Sequence, residues 1–476
     1  MLDAPPLPPS VVFDRRRKAV AARLGTRSAL VFAGGRRGRN YPANPYPYRC
    51  GSHFLYLVGT SLPDAVLWLS GERAELFLPP TDPSDALWHG ALPDVSEIVK
   101  NTGVDRVRST AELPAAIAKV GARTIATLPS LDPHTCARQR TLLERAWPDD
   151  RTPGIADLAA VDLELADAMI DARLAHDPAA IANIRTAIEA TAAGHAAGMA
   201  ATHAGVLEHE IRAAIEREFM RRGCESAYGS IVTVHGEVLH NNHYDHRLEK
   251  GDLLLADAGA EHLGWASDVT RTWPVSGKFT PTQRALYDVV LAANEAAIAK
   301  VAPGVRYREI HLEAARVLTR GLVDCGICHG DPDGLVERGV HAMLFPHGVG
   351  HLLGLDVHDM EDLGDRAGYA PGRARSTQFG LAYLRLDRDL QPGMVVTIEP
   401  GIYLVDAILR DESPGGTGCG GFFRDGALDR ARLEQFADVR GIRIEDDVLC
   451  TPTGHSVLTA AIPKSADAVC AAVGAR

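Results

Sequence analysis

Several things are scarce in this chain, and each scarcity removes a class of reading. Cysteine is one: there are eight in 476 residues. The pair Cys325 and Cys328 has CxxC spacing, which alone is weak evidence for redox chemistry or a zinc site. It follows a helix-like run and reads as reduced thiols near a helix end. Positive charge is also short, with 50 Lys and Arg against 61 Asp and Glu and a net charge of −11. Nucleic acid is therefore not an expected partner, and the acidic excess serves solubility. No stretch approaches the roughly 18 charge-free apolar residues of a membrane helix, so no membrane association is expected. No apolar run follows the basic segment Arg15–Lys18 either, so no secretory leader is expected, and the expected location is cytoplasmic. With 46% apolar and 23% charged residues, composition is that of an ordinary folded protein, long enough for two domains.

Residues 1–10 form a proline-rich arm, and 11–24 read as a helix. Apolar runs at Ala29–Ala33, Phe54–Val58, Ala65–Leu69 and Glu75–Leu78 then alternate with turns, with Gly71 placed as in a hairpin. Similar alternation continues to about residue 150 and suggests an α/β domain. A helix over Ala156–Leu174 marks the junction. Helix 178–203 opens with Asp177 as cap and Pro178 in the first position. Helix 207–222 carries Ile211, Ile215 and Phe219 on one face. Helix 281–302 starts with a capping-box pattern, Thr280-Pro281-Thr282-Gln283. Strand-like runs fall at 252–259, 267–275, 394–400 and 441–450, separated by long loops at about 360–390 and 404–440 that are rich in Gly, Arg and Asp.

Those strand-like runs and one Gly-punctuated stretch hold five potential metal ligands: Asp257, Asp268, His351, Glu399 and Glu445. Ionised, the four carboxylates would nearly balance two divalent cations, the ligand stock of a two-metal hydrolytic site. Asp257 ends the apolar run Leu253–Ala256. A hairpin centred between His262 and Leu263 would set Asp257 directly opposite Asp268, with Cβ atoms about 5 Å apart. Two carboxylates so placed repel unless cations or protons intervene. Strand alternation puts Arg443 and Glu445 on one face, so that Arg443 could orient Glu445. The stretch Pro346–Asp359 adds His347, His351 and His358 among glycines that permit close backbone approach. His240-Asn241-Asn242-His243-Tyr244-Asp245-His246 could make a separate metal site, although its histidines fit better as flanks of a pocket.

Taken together, these segments resemble the Xaa-Pro peptidases of the pita-bread metallopeptidase fold, aminopeptidase P and prolidase. The resemblance rests on Asp257-Ala258-Gly259, Ser267–Pro274, His347–Asp359, Pro392–Met394 with Glu399–Tyr403, and Gly441–Asp447. Near the N-terminus it extends to Tyr46–Arg49 and Ser52–Gly59. It implies an α+β fold: a C-terminal pita-bread catalytic domain, 175–476, preceded by a smaller α/β creatinase/aminopeptidase P-type domain, 1–174. It also implies that the five ligands hold two divalent metal ions, usually Mn(II), with Zn, Co or Fe as substitutes. Asp268 and Glu445 would bridge them, and Glu399 would also shuttle a proton. His240 and His358 would act in catalysis, His358 by stabilising the tetrahedral intermediate. His347 and Arg443 would support substrate binding. The activity implied is hydrolysis of the Xaa-Pro bond in proline-containing di- or oligopeptides by a metal-bridging hydroxide, in a homodimer or homotetramer. The loop before His240 departs from the family, with Val234–Val238 in place of a Gly-Ser-Gly-type loop and Asn241 in place of an aromatic.

The two subfamilies differ at the proline carboxylate. A dipeptidase must read it, and an arginine does so through a bidentate pair. The segment Leu384–Met394 resembles the prolidase version, and Arg385 falls where prolidases place that arginine. The sequence therefore leans to an Xaa-Pro dipeptidase. The alternatives are an Xaa-Pro aminopeptidase acting on longer peptides and, further off, a non-catalytic peptide-binding relative, which would be expected to have lost ligands that are all present here.

Overall fold

The computed structural model describes residues 9–41, 43–80, 87–88, 90, 94–412 and 418–474. Most of the proline-rich arm and part of the 404–440 loop lie outside the described residues. The chain divides into two units, Met1–Leu174 with Asp362–Arg366, and Ala175–Glu361 with Ala367–Arg476.

In the first unit the apolar runs become strands Ser28–Phe32, Val66–Ser70 and Arg73–Leu78, the middle of a five-stranded sheet. The latter two form the hairpin expected at Gly71, whose φ of +56° suits a tight turn. Strand Arg106–Ser109 adds parallel to one edge and Ala126–Thr127 parallel to the other, so the sheet is mixed. Leu30, Phe32, Trp68 and Phe77 pack with Leu113 and Ile117 of helix Leu113–Val120 to form a core. Phe54–Val58 is a difference from the strand-like expectation: it lies in a short helix, Ser52–Val58, capped by left-handed Gly59. All five of its apolar side chains are buried. An apolar run that short is compatible with a buried strand or a buried helix, and only packing decides.

The second unit pairs its helices. Pro178–Ala201 opens as expected, with Asp177 accepting from the Ala180 amide. It packs on Glu208–Arg221, where Gly194 and Gly198 let Ile211, Ile215 and Phe219 approach closely. Pro281–Ala299, with its capping box from Thr280 and Gln283, packs on Tyr307–Asp324. Strand Leu253–Asp257 lies between Ile231–Thr233 and Thr270–Pro274. Strand Val395–Ile398 pairs with Asp446–Thr451, and Gly401–Tyr403 with Gly441–Arg443. The expected single strand 441–450 is thus two, interrupted at Ile444 and Glu445. Cys325 caps the helix Tyr307–Asp324, and both it and Cys328 are free thiols. No described helix is long and apolar enough to cross a membrane.

The hairpin that carries two of the carboxylates turns one residue later than its sequence suggested. His262 pairs with Trp265, which leaves Leu263 and Gly264 as the turn, at φ +51° and +85°. Positive φ at both positions is the two-residue type I′ turn that fits strand twist. Asp257 is consequently opposite Thr270, not Asp268. The shift is two residues in register, and the side-chain period is two, so Asp268 keeps the same face and stands diagonal to Asp257.

Candidate metal centre and substrate cavity

Each candidate carboxylate ligand sits at or just beyond the end of a strand. Asp257 ends Leu253–Asp257, Asp268 precedes Thr270–Pro274, Glu399 follows Val395–Ile398, and Glu445 fills the break before Asp446–Thr451. His351 is delivered by an extended segment beside Val395–Ile398. The Thr397 amide donates to the His351 carbonyl at 3.1 Å, and the Glu399 amide to the Val349 carbonyl at 2.8 Å. That close approach depends on Gly350, where a Cβ would overlap the Thr397 carbonyl and the Tyr307 hydroxyl. A strand end is a sound place for chemistry, because the ladder fixes the backbone while the side chain leaves the sheet.

Asp268, His351 and Glu445 each offer a ligand atom, all within 4.8 Å of one another and all buried. His351 Nε2 is 3.5 Å from Asp268 Oδ2 and 3.6 Å from Glu399 Oε1. Its Nδ1–H donates to the Leu352 carbonyl at 3.0 Å, which leaves Nε2 with a free lone pair. Asp257 lies at the side of this group, where Arg443 Nη2 donates to its Oδ2 at 2.6 Å.

The charge balance tests whether cations belong here. Burial, then Asp257, pushes Asp268 up to about 8. Burial raises Glu399 to about 7 against the opposing pull of His351 and Arg443. Burial, then Asp268 and Glu399, raises Glu445 as well. The Tyr228 hydroxyl stands 2.6 Å from Asp257 Oδ1 and 2.5 Å from Asp268 Oδ1. A phenol has one proton to give, so one of these contacts requires a further proton or a cation. Crowded buried carboxylates beside an imidazole lone pair are a donor set suited to divalent ions.

Around this group runs a chain of donors. Arg443 Nε donates to Thr270 Oγ1 at 2.9 Å, and the Thr270 hydroxyl donates to Glu445 Oε2 at 2.6 Å. Arg443 Nη1 donates to the Tyr403 hydroxyl at 3.0 Å, which in turn faces His347 Nε2 at 2.8 Å. His347 Nδ1–H donates to the Gly348 carbonyl at 2.8 Å. Both ring nitrogens are thereby used, and burial, then Arg443, holds this imidazole down to about 3. Behind Asp268, its amide donates to Asp447 Oδ2 at 3.2 Å.

All ten residues singled out from the sequence line one cavity of about 520 Å³: His240, Asp257, Asp268, His347, His351, His358, Arg385, Glu399, Arg443 and Glu445. His358 lies over His351, ring centroids 4.3 Å apart. Burial, then His351, lowers its pKa. Burial, then Arg443, does the same for His240. The segment after His240 does not assemble a metal-binding group among the described residues. Instead Asn241 staples the loop, donating to Thr233 Oγ1 at 2.8 Å and accepting from the His243 amide at 2.9 Å. His246 pairs with buried Glu208 at 3.0 Å.

Sequence reasoning did not single out Tyr228, Thr270, Tyr403 or Glu361 as contributors to the site. None has a metal motif of its own, and each acts through a partner remote in sequence. Thr270 and Tyr403 lay inside segments already marked, and strand alternation puts Thr270 two residues from Asp268. The 360–390 loop also supplies Arg375, Phe379 and Tyr383 to the cavity wall.

This arrangement is that of a metallopeptidase, and comparison with known proteins agrees. The sequence model of metallopeptidase family M24 matches residues 182–452, and that of the aminopeptidase P N-terminal domain matches residues 13–127. An Xaa-Pro aminopeptidase of Haemophilus influenzae is 33% identical over 463 residues, 96% of this chain and 95% of that one. An Xaa-Pro aminopeptidase of Escherichia coli is 32% identical, over 96% of both. Among solved structures, proline aminopeptidase P II from Yersinia pestis superimposes with a TM-score of 0.79 at 32% identity, covering 98% of this chain and 99% of that one. The chain belongs to metallopeptidase family M24, within its Xaa-Pro peptidases. It has the two-domain aminopeptidase P fold, with a C-terminal pita-bread domain. The family implies divalent metal ions, and the buried Asp, His and Glu group is compatible with them. The lean to prolidase drawn from Leu384–Met394 is corrected here: these relatives carry the aminopeptidase name.

Proposed function

We propose that this protein is an Xaa-Pro aminopeptidase, releasing the N-terminal residue of peptides whose second residue is proline. The observation that carries this reading is the buried Asp268, His351 and Glu445 group, flanked by Asp257 and Glu399, in a chain similar along its whole length to Xaa-Pro aminopeptidases. The five residues would hold two divalent ions, manganese being the expected one, in a cytoplasmic homo-oligomer.

Bound ions would supply an activated water and polarise the scissile carbonyl. The chain's own residues account for the rest. Proline's imide nitrogen has no hydrogen to donate, so a site that grips the scissile N–H fails on this bond. The leaving nitrogen still needs a proton. Glu399, beside His351 and on the cavity wall, would take up the water's proton and pass it on. His358 faces the cavity with Nδ1–H committed to Glu361 at 2.6 Å, which leaves Nε2 for the reacting carbonyl region. Arg443 neutralises Asp257 and, through Thr270, orients Glu445.

The test is hydrolysis of Ala-Pro and Ala-Pro-Ala by metal-stripped protein, with and without added manganese. Cleavage that requires manganese and favours Ala-Pro-Ala is expected. A preference for Ala-Pro would overturn the aminopeptidase assignment, and cleavage of neither by metal-loaded protein would overturn the peptidase activity itself.

A further inference from the structure

Met360 is fully buried at φ +60°, an uncommon conformation for a residue other than glycine. It is the third residue of a turn closed by the Glu361 amide donating to the His358 carbonyl at 3.2 Å. A type II turn requires positive φ at that position. Backbone strain of this kind persists where the surroundings hold it, often beside a functional site. Here the turn folds the Glu361 carboxylate back over His358. Oε2 accepts from His358 Nδ1 at 2.6 Å, and Oε1 pairs with Arg385 Nη1. All three side chains line the substrate cavity. One carboxylate therefore fixes the imidazole tautomer and engages one nitrogen of the guanidinium that the sequence suggested as a reader of substrate carboxylate.

We propose that Glu361 is a specificity-determining residue that disfavours Xaa-Pro dipeptides by holding Arg385 from within the chain. A dipeptide's proline carboxylate reaching for Arg385 meets a like charge and a guanidinium already engaged. A longer peptide presents a neutral amide there and carries its terminal charge further along, so it escapes the repulsion. This inference rests on the aminopeptidase reading and supplies its physical basis: Arg385 is present, and Glu361 masks it.

The experiment measures kcat and KM for Ala-Pro and Ala-Pro-Ala with manganese-loaded wild type, Glu361→Gln, Arg385→Ala and the double variant. Glutamine is nearly isosteric, and its amide oxygen still accepts from His358 Nδ1–H, but it carries no charge. Glu361→Gln is expected to raise the ratio of kcat/KM for Ala-Pro over Ala-Pro-Ala by roughly two- to fivefold, through a lower KM for Ala-Pro, as removal of one half-exposed like charge warrants. The gain should vanish in the double variant, because it needs Arg385. A ratio unmoved by Glu361→Gln, or a gain that survives loss of Arg385, overturns the proposal. If Glu361→Gln does not fold, Glu361→Ala must shift the ratio in the same sense, and an unmoved ratio is equally decisive. The wild-type ratio tests the aminopeptidase reading by itself, and the change on substitution tests Glu361.

Discussion

Thr270 has no claim to a metal ion, yet its hydroxyl is the link between Arg443 and Glu445. Arg443 donates to it, and it donates to the carboxylate. With the hydroxyl gone, the buried Glu445 carboxylate loses its orienting partner, and a buried Arg443 Nε–H is left unsatisfied. Outer partners of this kind typically govern metal affinity by about 10- to 100-fold. Thr270→Val, close in shape, is expected to weaken manganese binding by roughly that factor in a metal titration at fixed pH, and Thr270→Ser to restore it. Equal affinity in all three proteins would make Thr270 no more than a core polar residue. At this scale the sequence was informative about candidate ligands and silent about their supports. Asp257, His351 and Glu399 announce themselves by ending apolar runs or sitting among glycines. A threonine in a strand announces nothing.

At the scale of elements, the hairpin from Leu253 to Pro274 shows how a small turn sets a site. A turn centred between His262 and Leu263 would face Asp257 with Asp268. The observed turn at Leu263 and Gly264 faces Asp257 with Thr270 and brings Arg443, Thr270 and Asp257 into one hydrogen-bonded group. Gly264 was the available signal, since the second position of a type I′ turn favours glycine. Leu263 is the oddity, a solvent-exposed leucine at φ +51°. Left-handed backbone costs a residue such as leucine about 1–2 kcal/mol, and asparagine less. Leu263→Asn is therefore expected to stabilise the protein by about 0.5–1 kcal/mol, read as a higher urea midpoint with an unchanged slope. A lower midpoint would mean that the leucine side chain contributes packing which outweighs the strain.

For the whole molecule, the buried histidines outside the candidate ligand set impose an acid limit. Burial, then Arg271, lowers His195 to about 4, and burial lowers His341 to about 4. Burial also lowers His311. Neither ring nitrogen of His341 has a hydrogen-bond partner among the described residues. A histidine whose pKa is depressed on folding contributes stability that is complete above its unfolded value, near 6.5, and is lost as pH falls toward 4. For a shift of that size, His341 alone should remove about 2 kcal/mol by pH 5. His341→Met should shrink the fall in Tm between pH 7 and pH 5. An unchanged fall would show that other groups dominate acid unfolding.

The sequence by itself determined what local pattern can encode. The helix caps at Asp177 and Thr280, the Gly71 hairpin and the five candidate carboxylate and imidazole ligands were all legible, because each depends on neighbours within a few residues. So was the family, because its motifs are strings of such neighbours. Only the tertiary structure decided the Asp257 to Thr270 register, the break at Glu445, the helical state of Phe54–Val58 and the pairing of Arg385 with Glu361. The arginine illustrates why. Its residue type fits a carboxylate reader, but a guanidinium's availability is set by what charge the fold brings beside it. Here that charge comes from 24 residues earlier in the chain, on a turn whose strained backbone no propensity foretells.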